Sequence, residues 1–318
     1  MNTIDVKVVS KSREAEDIFS FELAAAGGAA LPAFNAGAHI DVHVGGGVVR
    51  QYSLCNDAEE KHRYRIAVLR DPKSRGGSIA MHDRIHAGDV IRISAPRNHF
   101  PLQQAERSLL FAGGIGITPI LCMAAQLARQ GADFEMHYCT RSRERTAFLE
   151  LMGASPYADR VHLHFDDGPP EQKLDLPAVL GTADAGKHLY VCGPTGFIDY
   201  VTGTARQSGW GKEQIHLEYF GAAQQGTSGD ATFEVKIAST GQCFEVPADK
   251  TVFSVLDENG IAIPVSCEQG VCGTCITRVL DGVPDHRDLY FTDEEKAKND
   301  QFTPCCSRAR SRTLVLDL

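Results

Sequence analysis

Four cysteines near the end of the chain have the spacing of a redox metal site. Cys267, Cys272 and Cys275 are spaced C-x4-C-x2-C, and Cys305 follows after 29 intervening residues. This is the ligand spacing of a [2Fe-2S] cluster held by thiolates. A zinc site would favour paired C-x2-C knuckles, and a disulfide framework would favour a small secreted chain. The pattern therefore predicts one-electron transfer.

The fourth ligand has two candidates because Cys305 and Cys306 are adjacent. If this segment is extended, neighbouring side chains point to opposite faces, so only one of them can face the cluster. We take Cys305 as the ligand and Cys306 as a small buried apolar side chain. The remaining cysteines are interpreted mostly as core residues; they are Cys55, Cys122, Cys139, Cys192 and Cys243.

Composition limits the classes of function. The 318 residues are 43% hydrophobic, enough for two or three cores, and the net charge of −9 argues against a nucleic-acid partner. The N-terminus has no signal-peptide layout, and no apolar run approaches the roughly 20 residues of a membrane span. We expect a soluble, cytoplasmic protein that does not bind membranes, whose ten cysteines serve redox chemistry rather than cross-links.

The chain divides into three predicted domains. Residues 1–103 contain short strands separated by Gly- and Pro-bearing turns, which predicts an antiparallel β-barrel. Residues 104–222 alternate strands and helices, as in a parallel α/β sheet. Residues 223–230 are interpreted as a linker, and residues 231–318 as a β-grasp domain resembling plant-type ferredoxins. The strands predicted are 4–9, 18–23, 39–44, 48–54, 64–69, 90–93, 109–112, 134–139, 161–165, 189–192, 215–220, 232–238, 242–246 and 313–316.

Two glycine-bearing turns follow buried strands of the α/β segment. Gly114 and Gly116 precede a predicted helix with Thr118 as its N-cap, Pro119 at its first position and its end at Gly131. Such a turn lets the backbone approach a pyrophosphate at a helix N-terminus, although an ordinary βα turn has the same sequence features. The run Cys192-Gly193-Pro194 follows another strand, at the sheet edge where ligands of α/β proteins bind. Two such turns favour a dinucleotide.

A second anion-binding pattern lies in the barrel segment. Arg50, Tyr52 and Ser53 end one strand, and Arg70 precedes the run Arg75-Gly76-Gly77-Ser78 at the start of a short helix. An arginine fork, exposed backbone N–H groups and a hydroxyl suit a phosphomonoester. Read alone, the same residues fit a cross-strand pair and a simple turn.

Taken together, these motifs resemble the phthalate dioxygenase reductase family over essentially the whole chain. The resemblance rests on residues 50–54, 75–78, 113–119, 192–194, 218–221 and the C-terminal segment from Cys305 to Leu318. It implies FMN at the first two motifs, NADH at the next two, and Cys305 as the fourth cluster ligand. Pro119 is the family's own form of the glycine motif.

Electron counting connects the three cofactors. NADH yields two electrons as a hydride, a [2Fe-2S] cluster accepts one, and a flavin can take both and release them singly. We assign NADH to Gly114, Gly116, Thr118, Cys192, Gly193 and Pro194, and the flavin to Arg50, Tyr52, Ser53, Arg70, Gly76, Gly77 and Ser78.

Further residues are placed near the reacting groups. Cys192 and Phe220 are predicted beside the nicotinamide and flavin, with core packing as the alternative for Phe220. Thr140 and Arg141 are predicted near the adenosine ribose, where Arg141 could instead accept a 2′-phosphate. The preference for NADH therefore follows mainly from the resemblance.

The predicted function is the reductase component of a two-component Rieske aromatic oxygenase or O-demethylase. The chain contains no Cys-x-His pair, so a Rieske centre must lie in a separate oxygenase chain. The alternatives are a stand-alone NADH reductase of a quinone or ferric chelate, and a redox-sensing module without turnover. Residues 231–318 have 9 basic and 14 acidic side chains, a net charge of −5, which predicts docking on a basic oxygenase surface.

Overall fold

The computed structural model describes residues 3–45, 48–72, 76–220, 230–265, 270, 273–288 and 290–318. The chain forms two compact units, Met1–Phe220 and Gly221–Leu318. Among the described residues, no helix has the length and apolar character needed to cross a bilayer.

The first unit begins with an antiparallel barrel. Its strands follow the order β4-β3-β6-β1-β2-β5, and β7 pairs with β3. A bridge between Leu54 and Ile66 joins the ends of this order and closes the barrel. A short helix, α1 (Gly77–Arg84), follows β5. The strands are β1 (Thr3–Ala15), β2 (Ile18–Ala25), β3 (Ala38–His43), β4 (Val49–Ser53), β5 (Tyr64–Leu69), β6 (Val90–Ser94) and β7 (Arg97–Asn98).

A five-stranded, fully parallel sheet forms the rest of the first unit. Its order is β10-β9-β8-β11-β12, so the chain starts in the centre and moves out to both edges. The strands are β8 (Arg107–Gly113), β9 (Asp133–Thr140), β10 (Val161–Phe165), β11 (Lys187–Gly193) and β12 (Ile215–Tyr219). The helices are α2 (Ile117–Gln130), α3 (Leu149–Gly153), α4 (Leu176–Leu180) and α5 (Thr195–Gln207).

The barrel and the parallel sheet share a hydrophobic core. One cluster of buried side chains extends from Val6 in β1 to Tyr190 in β11, and includes most of the inner face of α2. Ion pairs from Arg129 to Asp57 and from Arg145 to Glu16 also join the two parts. The shared apolar burial holds the barrel and the sheet in one orientation, because it supplies most of the stabilising free energy.

The second unit is a small mixed sheet with two short helices. Its strand order is β14-β13-β19-β15-β17, with β13 and β19 parallel, and a separate pair joins β16 to β18. The elements are β13 (Phe233–Ile237), β14 (Cys243–Val246), α6 (Val252–Glu258), β15 (Thr277–Asp281), β16 (Pro284–Asp285), α7 (Asp293–Ala297), β17 (Gln301–Phe302), β18 (Arg308–Ala309) and β19 (Thr313–Leu316).

Most predicted elements are present. The strands predicted at 64–69, 161–165 and 313–316 have these bounds in the structure, whereas the first strand is much longer than predicted. Four short strands, β7, β16, β17 and β18, lack a sequence signal because two residues cannot display an alternating pattern. The domain boundaries stay predictions, and residues 223–229 of the predicted linker lie outside the described residues.

One predicted cap is wrong. Helix α2 begins at Ile117 with Gly116 as its N-cap, so Thr118 lies inside the first turn and Pro119 is the third helical residue rather than the first. The reason is a 3-10 turn over Gly114–Gly116 that runs directly into the helix. The Thr118 hydroxyl donates to the Ile115 carbonyl oxygen at 3.2 Å rather than accepting from the helix N-terminus. The predicted end is confirmed, because Gly131 is the C-cap with φ 65°.

Candidate functional site

Arg50 lies against the glycine pair that opens α1. A Cβ atom built on Gly77 would lie 2.4 Å from Cγ and 2.7 Å from Nε of Arg50. Gly76 adopts φ 85°, a conformation that side chains disfavour, and it caps the helix without a side-chain hydrogen bond. The structure thus brings Arg50, Gly76 and Gly77 together at a helix start; Arg75 lies outside the described residues.

The other two predicted residues of this motif have protein partners. Ser78 Oγ accepts a hydrogen bond from the backbone N–H of Asp71 at 3.2 Å. The Arg70 guanidinium pairs with Asp83 in the last turn of α1, with 3.0 Å between Nη2 and Oδ2. The structure therefore does not bring Arg70 to the glycine pair, since its ion pair holds it at the opposite end of α1.

Tyr52 and Ser53, at the end of β4, differ in how their hydroxyl groups are satisfied. The Tyr52 hydroxyl is buried and has no hydrogen-bond partner among the described residues. Desolvation raises the pKa of Tyr52. Ser53 is buried, and its Oγ donates to Oε2 of Glu218 at 3.3 Å. A buried hydroxyl without a partner is costly, so Tyr52 Oη is a polar atom suited to a bound ligand.

Glu218 is a site residue that we did not assign from the sequence. It lies in β12 directly opposite Cys192 of the parallel neighbour β11. Desolvation raises the pKa of Glu218 to about 8, and the hydrogen bond from Ser53 opposes part of that rise. The carboxyl group is therefore largely protonated at neutral pH. A lone acidic residue near the end of a predicted strand was the available signal.

Cys192 is fully buried beside this carboxyl group. Burial, and secondarily the charge that Glu218 gains above its own pKa, raise the pKa of the Cys192 thiol well above its usual range. The side chain is thus a neutral thiol and not a thiolate nucleophile. The backbone carbonyl of Cys192 lies against Gly116.

The two glycine turns at the carboxyl edge of the sheet touch each other. A Cβ built on Gly116 would lie 2.2 Å from the carbonyl oxygen of Cys192, and one on Gly193 would lie 2.9 Å from Cα of Gly113. Gly114 has φ 53° and open space where its Cβ would lie. The turns of adjacent strands β8 and β11 therefore form one continuous backbone surface. Pro194, the N-cap residue of α5, lies beside it and has φ −61° and ψ 147°.

Thr140, Arg141 and Phe220 lie at strand ends. The buried Thr140 hydroxyl is 2.7 Å from that of Thr146, so its hydrogen bond is internal. Arg141 is exposed, and no side-chain partner for it occurs in the described part of the chain. Phe220 directly follows β12 and is 40% exposed, so it is not a fully buried core residue, and its place beside the cofactors stays a prediction.

The second unit buries two of the four predicted cluster ligands. Cys275 is 2% exposed and Cys305 is 4% exposed, while Cys267 and Cys272 lie outside the described residues. Gly270 and Gly273 have φ 73° and 71°, where a side chain would be strained. These glycines and buried thiols fit a tight metal-binding loop.

The assumption of an extended segment, on which the choice of Cys305 depended, is wrong. Cys305 and Cys306 lie in a turn, not in an extended segment, so their side chains do not alternate. Cys306 is half-buried, its Sγ is 3.3 Å from Thr303 Oγ1, and a Cβ on Gly270 would lie 2.4 Å from it. Cys306 is therefore not a simple core side chain. The choice of Cys305 as ligand stays a prediction.

Comparisons with known proteins agree with this architecture. Residues 235–310 match the family described as 2Fe-2S iron-sulfur cluster binding domain. The chain is 60% identical to a vanillate O-demethylase oxidoreductase of Pseudomonas putida, covering 99% of this chain and 100% of that protein. It is also 42% identical to tetrachlorobenzoquinone reductase of Sphingobium chlorophenolicum, over 100% and 99% of the two chains.

The solved structure of a phthalate dioxygenase reductase superposes with a TM-score of 0.82 at 41% identity, covering 100% of this chain and 98% of that one. The chain belongs to the phthalate dioxygenase reductase family. Its three parts are the flavin barrel, the nicotinamide-nucleotide sheet and the ferredoxin domain of this family. The predicted cofactors FMN, NADH and [2Fe-2S] are confirmed at the level of the family, as is an electron-transferring oxidoreductase.

Proposed function

We propose that the chain is the reductase component that delivers electrons from NADH to a separate Rieske-type oxygenase or O-demethylase. The observation that carries this proposal is the hydrogen bond from Ser53 to Glu218. It joins the barrel strand of the proposed flavin residues to the sheet edge of the proposed nicotinamide residues. Reacting rings held by the two sets can therefore approach each other without a large movement of the first unit.

The proposed flavin contacts lie at β4 and the start of α1. Arg50 provides guanidinium N–H groups beside the backbone of Gly76 and Gly77, a suitable pairing for a phosphate group. Tyr52 provides a buried hydroxyl without a protein partner in the described residues, and Ser53 a hydroxyl already oriented by Glu218. Bound here, a flavin would accept a hydride and pass electrons on singly.

The proposed nicotinamide-nucleotide contacts lie on the joined glycine turns. Gly114 leaves its backbone accessible, Gly116 and Gly193 let the two turns touch, and the backbone N–H groups at the start of the 3-10 turn Gly114–Gly116 have no side-chain cap. Those backbone N–H groups suit a pyrophosphate. Exposed Arg141 is proposed at the adenosine end and exposed Phe220 at the nicotinamide end.

Glu218 and Cys192 are two uncharged side chains between the proposed flavin residues and the proposed nicotinamide residues. Because the pKa of Glu218 is about 8, its carboxyl group retains a proton at neutral pH. A neutral carboxyl group and a neutral thiol do not repel the negative charge that moves with a hydride, whereas a carboxylate would. Glu218 also orients the Ser53 hydroxyl through their hydrogen bond.

For the cluster, Cys267, Cys272, Cys275 and Cys305 are the proposed ligands. The decisive experiment replaces Cys305 by serine, with Cys306→Ser as the matched control. Cys305→Ser should lose the cluster and the ability to support vanillate turnover by a vanillate oxygenase component, yet still reduce ferricyanide from NADH. Cys306→Ser should keep both activities. Loss of the cluster in Cys306→Ser alone would contradict the ligand choice.

A second candidate function is direct reduction of a diffusible quinone. The similarity to tetrachlorobenzoquinone reductase favours it. The same variant separates the two functions if quinone reduction is measured beside oxygenase turnover. Oxygenase-coupled NADH consumption that exceeds quinone reduction, and that Cys305→Ser abolishes, supports the first function. Quinone reduction faster than oxygenase-coupled turnover, for several oxygenases, would favour the second.

A further inference from the structure

Three potential metal ligands meet on the parallel sheet, away from the proposed cofactor residues. Glu135 and His137 lie in β9, and His162 lies in β10 opposite His137. One donor atom from each lies within 4.8 Å of the other two. Thr140, at the carboxyl end of β9 where the nucleotide is proposed, is three or more residues further along the strand. The proposed function does not use this group, which we call the histidine cluster.

A hydrogen-bond relay fixes the protonation of the buried histidine. His164 Nδ1 is 3.0 Å from the carbonyl oxygen of Gln172, and His164 Nε2 is 3.1 Å from Nδ1 of His137. A carbonyl oxygen only accepts, so His164 carries its proton on Nδ1 and accepts at Nε2. His137 must then donate from Nδ1. The relay therefore leaves a lone pair on Nε2 of His137.

That lone pair faces a carboxylate oxygen. His137 is 3% exposed, and Nε2 has no hydrogen-bond partner among the described residues. The nearest acidic oxygen, Oε2 of Glu135, is 3.5 Å away. Two acceptors that face each other, one of them buried, repel each other, and a cation between them would satisfy both.

The surroundings orient the carboxylate for that role. Nη2 of Arg107 lies 2.5 Å from Oε1 of Glu135, which leaves Oε2 directed toward the histidines. A metal-binding histidine commonly donates its second ring N–H to an acceptor, as His137 does to His164. Buried His137 and partly exposed Glu135 thus have the supporting contacts of a metal site. His162 is exposed and stacks on His137 with 4.8 Å between ring centroids.

We propose that the histidine cluster binds one divalent transition-metal ion through His137 Nε2, Glu135 Oε2 and His162. Neighbouring ligands of a tetrahedral zinc ion are about 3.4 Å apart, given metal–ligand bonds of ~2.0–2.1 Å. The 3.5 Å between His137 and Glu135 already meets this spacing. His162, at the surface, has only to rotate inward, and water completes the coordination. Imidazole and carboxylate ligands suit Zn²⁺, Ni²⁺ and Co²⁺.

The test uses the full chain without a histidine tag, carrying its FMN and cluster, dialysed to equilibrium against Zn²⁺ at rising micromolar concentrations. Mass spectrometry measures zinc and iron in the same sample, so zinc in an emptied cluster site is recognised by missing iron. Wild type should bind one zinc per chain with its iron unchanged. Glu135→Gln and His162→Gln, which alter partly exposed side chains, should weaken that binding at least tenfold.

His188→Gln is the control. His188 and His216 form a stacked histidine pair on the same sheet, with 2.9 Å between Nδ1 and Nε2, and this pair lies on β11 and β12. The control should bind zinc as wild type does. Wild type that binds no zinc below 100 µM, or equal binding by all four proteins, would overturn the proposal.

Discussion

The two glycine turns that carry the proposed cofactor contacts are tight for different reasons. At the start of α1, Gly77 makes room for the side chain of Arg50 between Cγ and Nε. At the start of α2, Gly116 makes room for the backbone carbonyl of Cys192. A side chain can move aside when a methyl group is added, whereas the backbone of a central strand cannot. We therefore expect the first glycine to serve binding and the second to serve the fold.

The largest effect that this comparison predicts is on stability. In Gly116→Ala the new methyl group would lie 2.2 Å from a carbonyl oxygen of β11, so strands β8 and β11 have to separate. We expect a loss of about 3 kcal/mol or more in the free energy of unfolding. Urea unfolding followed by the fluorescence of Trp210, the only tryptophan and buried in the first unit, measures it.

Gly114→Ala is the matched control in the same turn. Its Cβ would meet open space, and only its φ of 53° is unfavourable, so the expected loss is about 1 kcal/mol. Equal losses in the two variants would show that backbone crowding at Gly116 does not distinguish the turns.

At the first turn, we expect weaker FMN binding with little loss of stability. Gly77→Ala should displace Arg50, and Arg50→Ala removes its charge-assisted contacts, so each should cost about 1.5–3 kcal/mol of FMN affinity. Because both changes act on one contact, the double variant should lose scarcely more than Arg50→Ala. FMN fluorescence after equilibrium dialysis gives the affinities. Additive losses of FMN affinity would show that Gly77 and Arg50 act on FMN binding independently.

The fold was largely predictable because its signals are local. The alternating strand Val161–Phe165 and the mostly buried strand Tyr64–Leu69 depend on period and length alone. The start of α2 was not predictable to the residue, because the preceding 3-10 turn over Gly114–Gly116 shares its glycines with the helix cap.

The candidate site was less predictable because it depends on contacts between distant segments. Arg50 and Gly77 were assigned to one cofactor, but only the three-dimensional structure shows that they touch. Arg70 was assigned with them, yet its charge is paired with Asp83. Glu218 escaped assignment because its environment is set by Ser53, 165 residues earlier in the chain.

A smaller effect is expected where the two sides of the site meet, at Glu218. The folded protein holds the Glu218 proton up to a pKa of about 8, above the usual glutamate value. Between those two values the unfolded chain has already released its proton, so stability falls as pH rises. Solvent screening reduces the effect, and we expect wild type to lose about 1 kcal/mol more than Glu218→Gln from pH 6 to pH 8.

Urea unfolding of FMN-free protein at several pH values, again followed through Trp210, checks this prediction. Glu213→Gln is the control, since Glu213 is an exposed carboxylate shortly before β12. The control should follow wild type at every pH. If Glu218→Gln also follows wild type, the Glu218 carboxyl group is not desolvated between the two turns.

The smallest expected effect on FMN affinity is that of Arg70, which was assigned to the flavin together with Arg50. Arg70 is paired with Asp83 at the end of α1, and an exposed ion pair of this kind contributes about 0–1 kcal/mol to stability. Because its guanidinium is held away from Gly76 and Gly77, Arg70→Ala should change FMN affinity by less than about 0.5 kcal/mol, whereas Arg50→Ala should cost several times more. Equilibrium dialysis of both variants in one experiment tests this difference. An equal loss in Arg70→Ala would mean that Arg70 leaves Asp83 to reach the phosphate, and that the first turn binds through two arginines rather than through Arg50 alone.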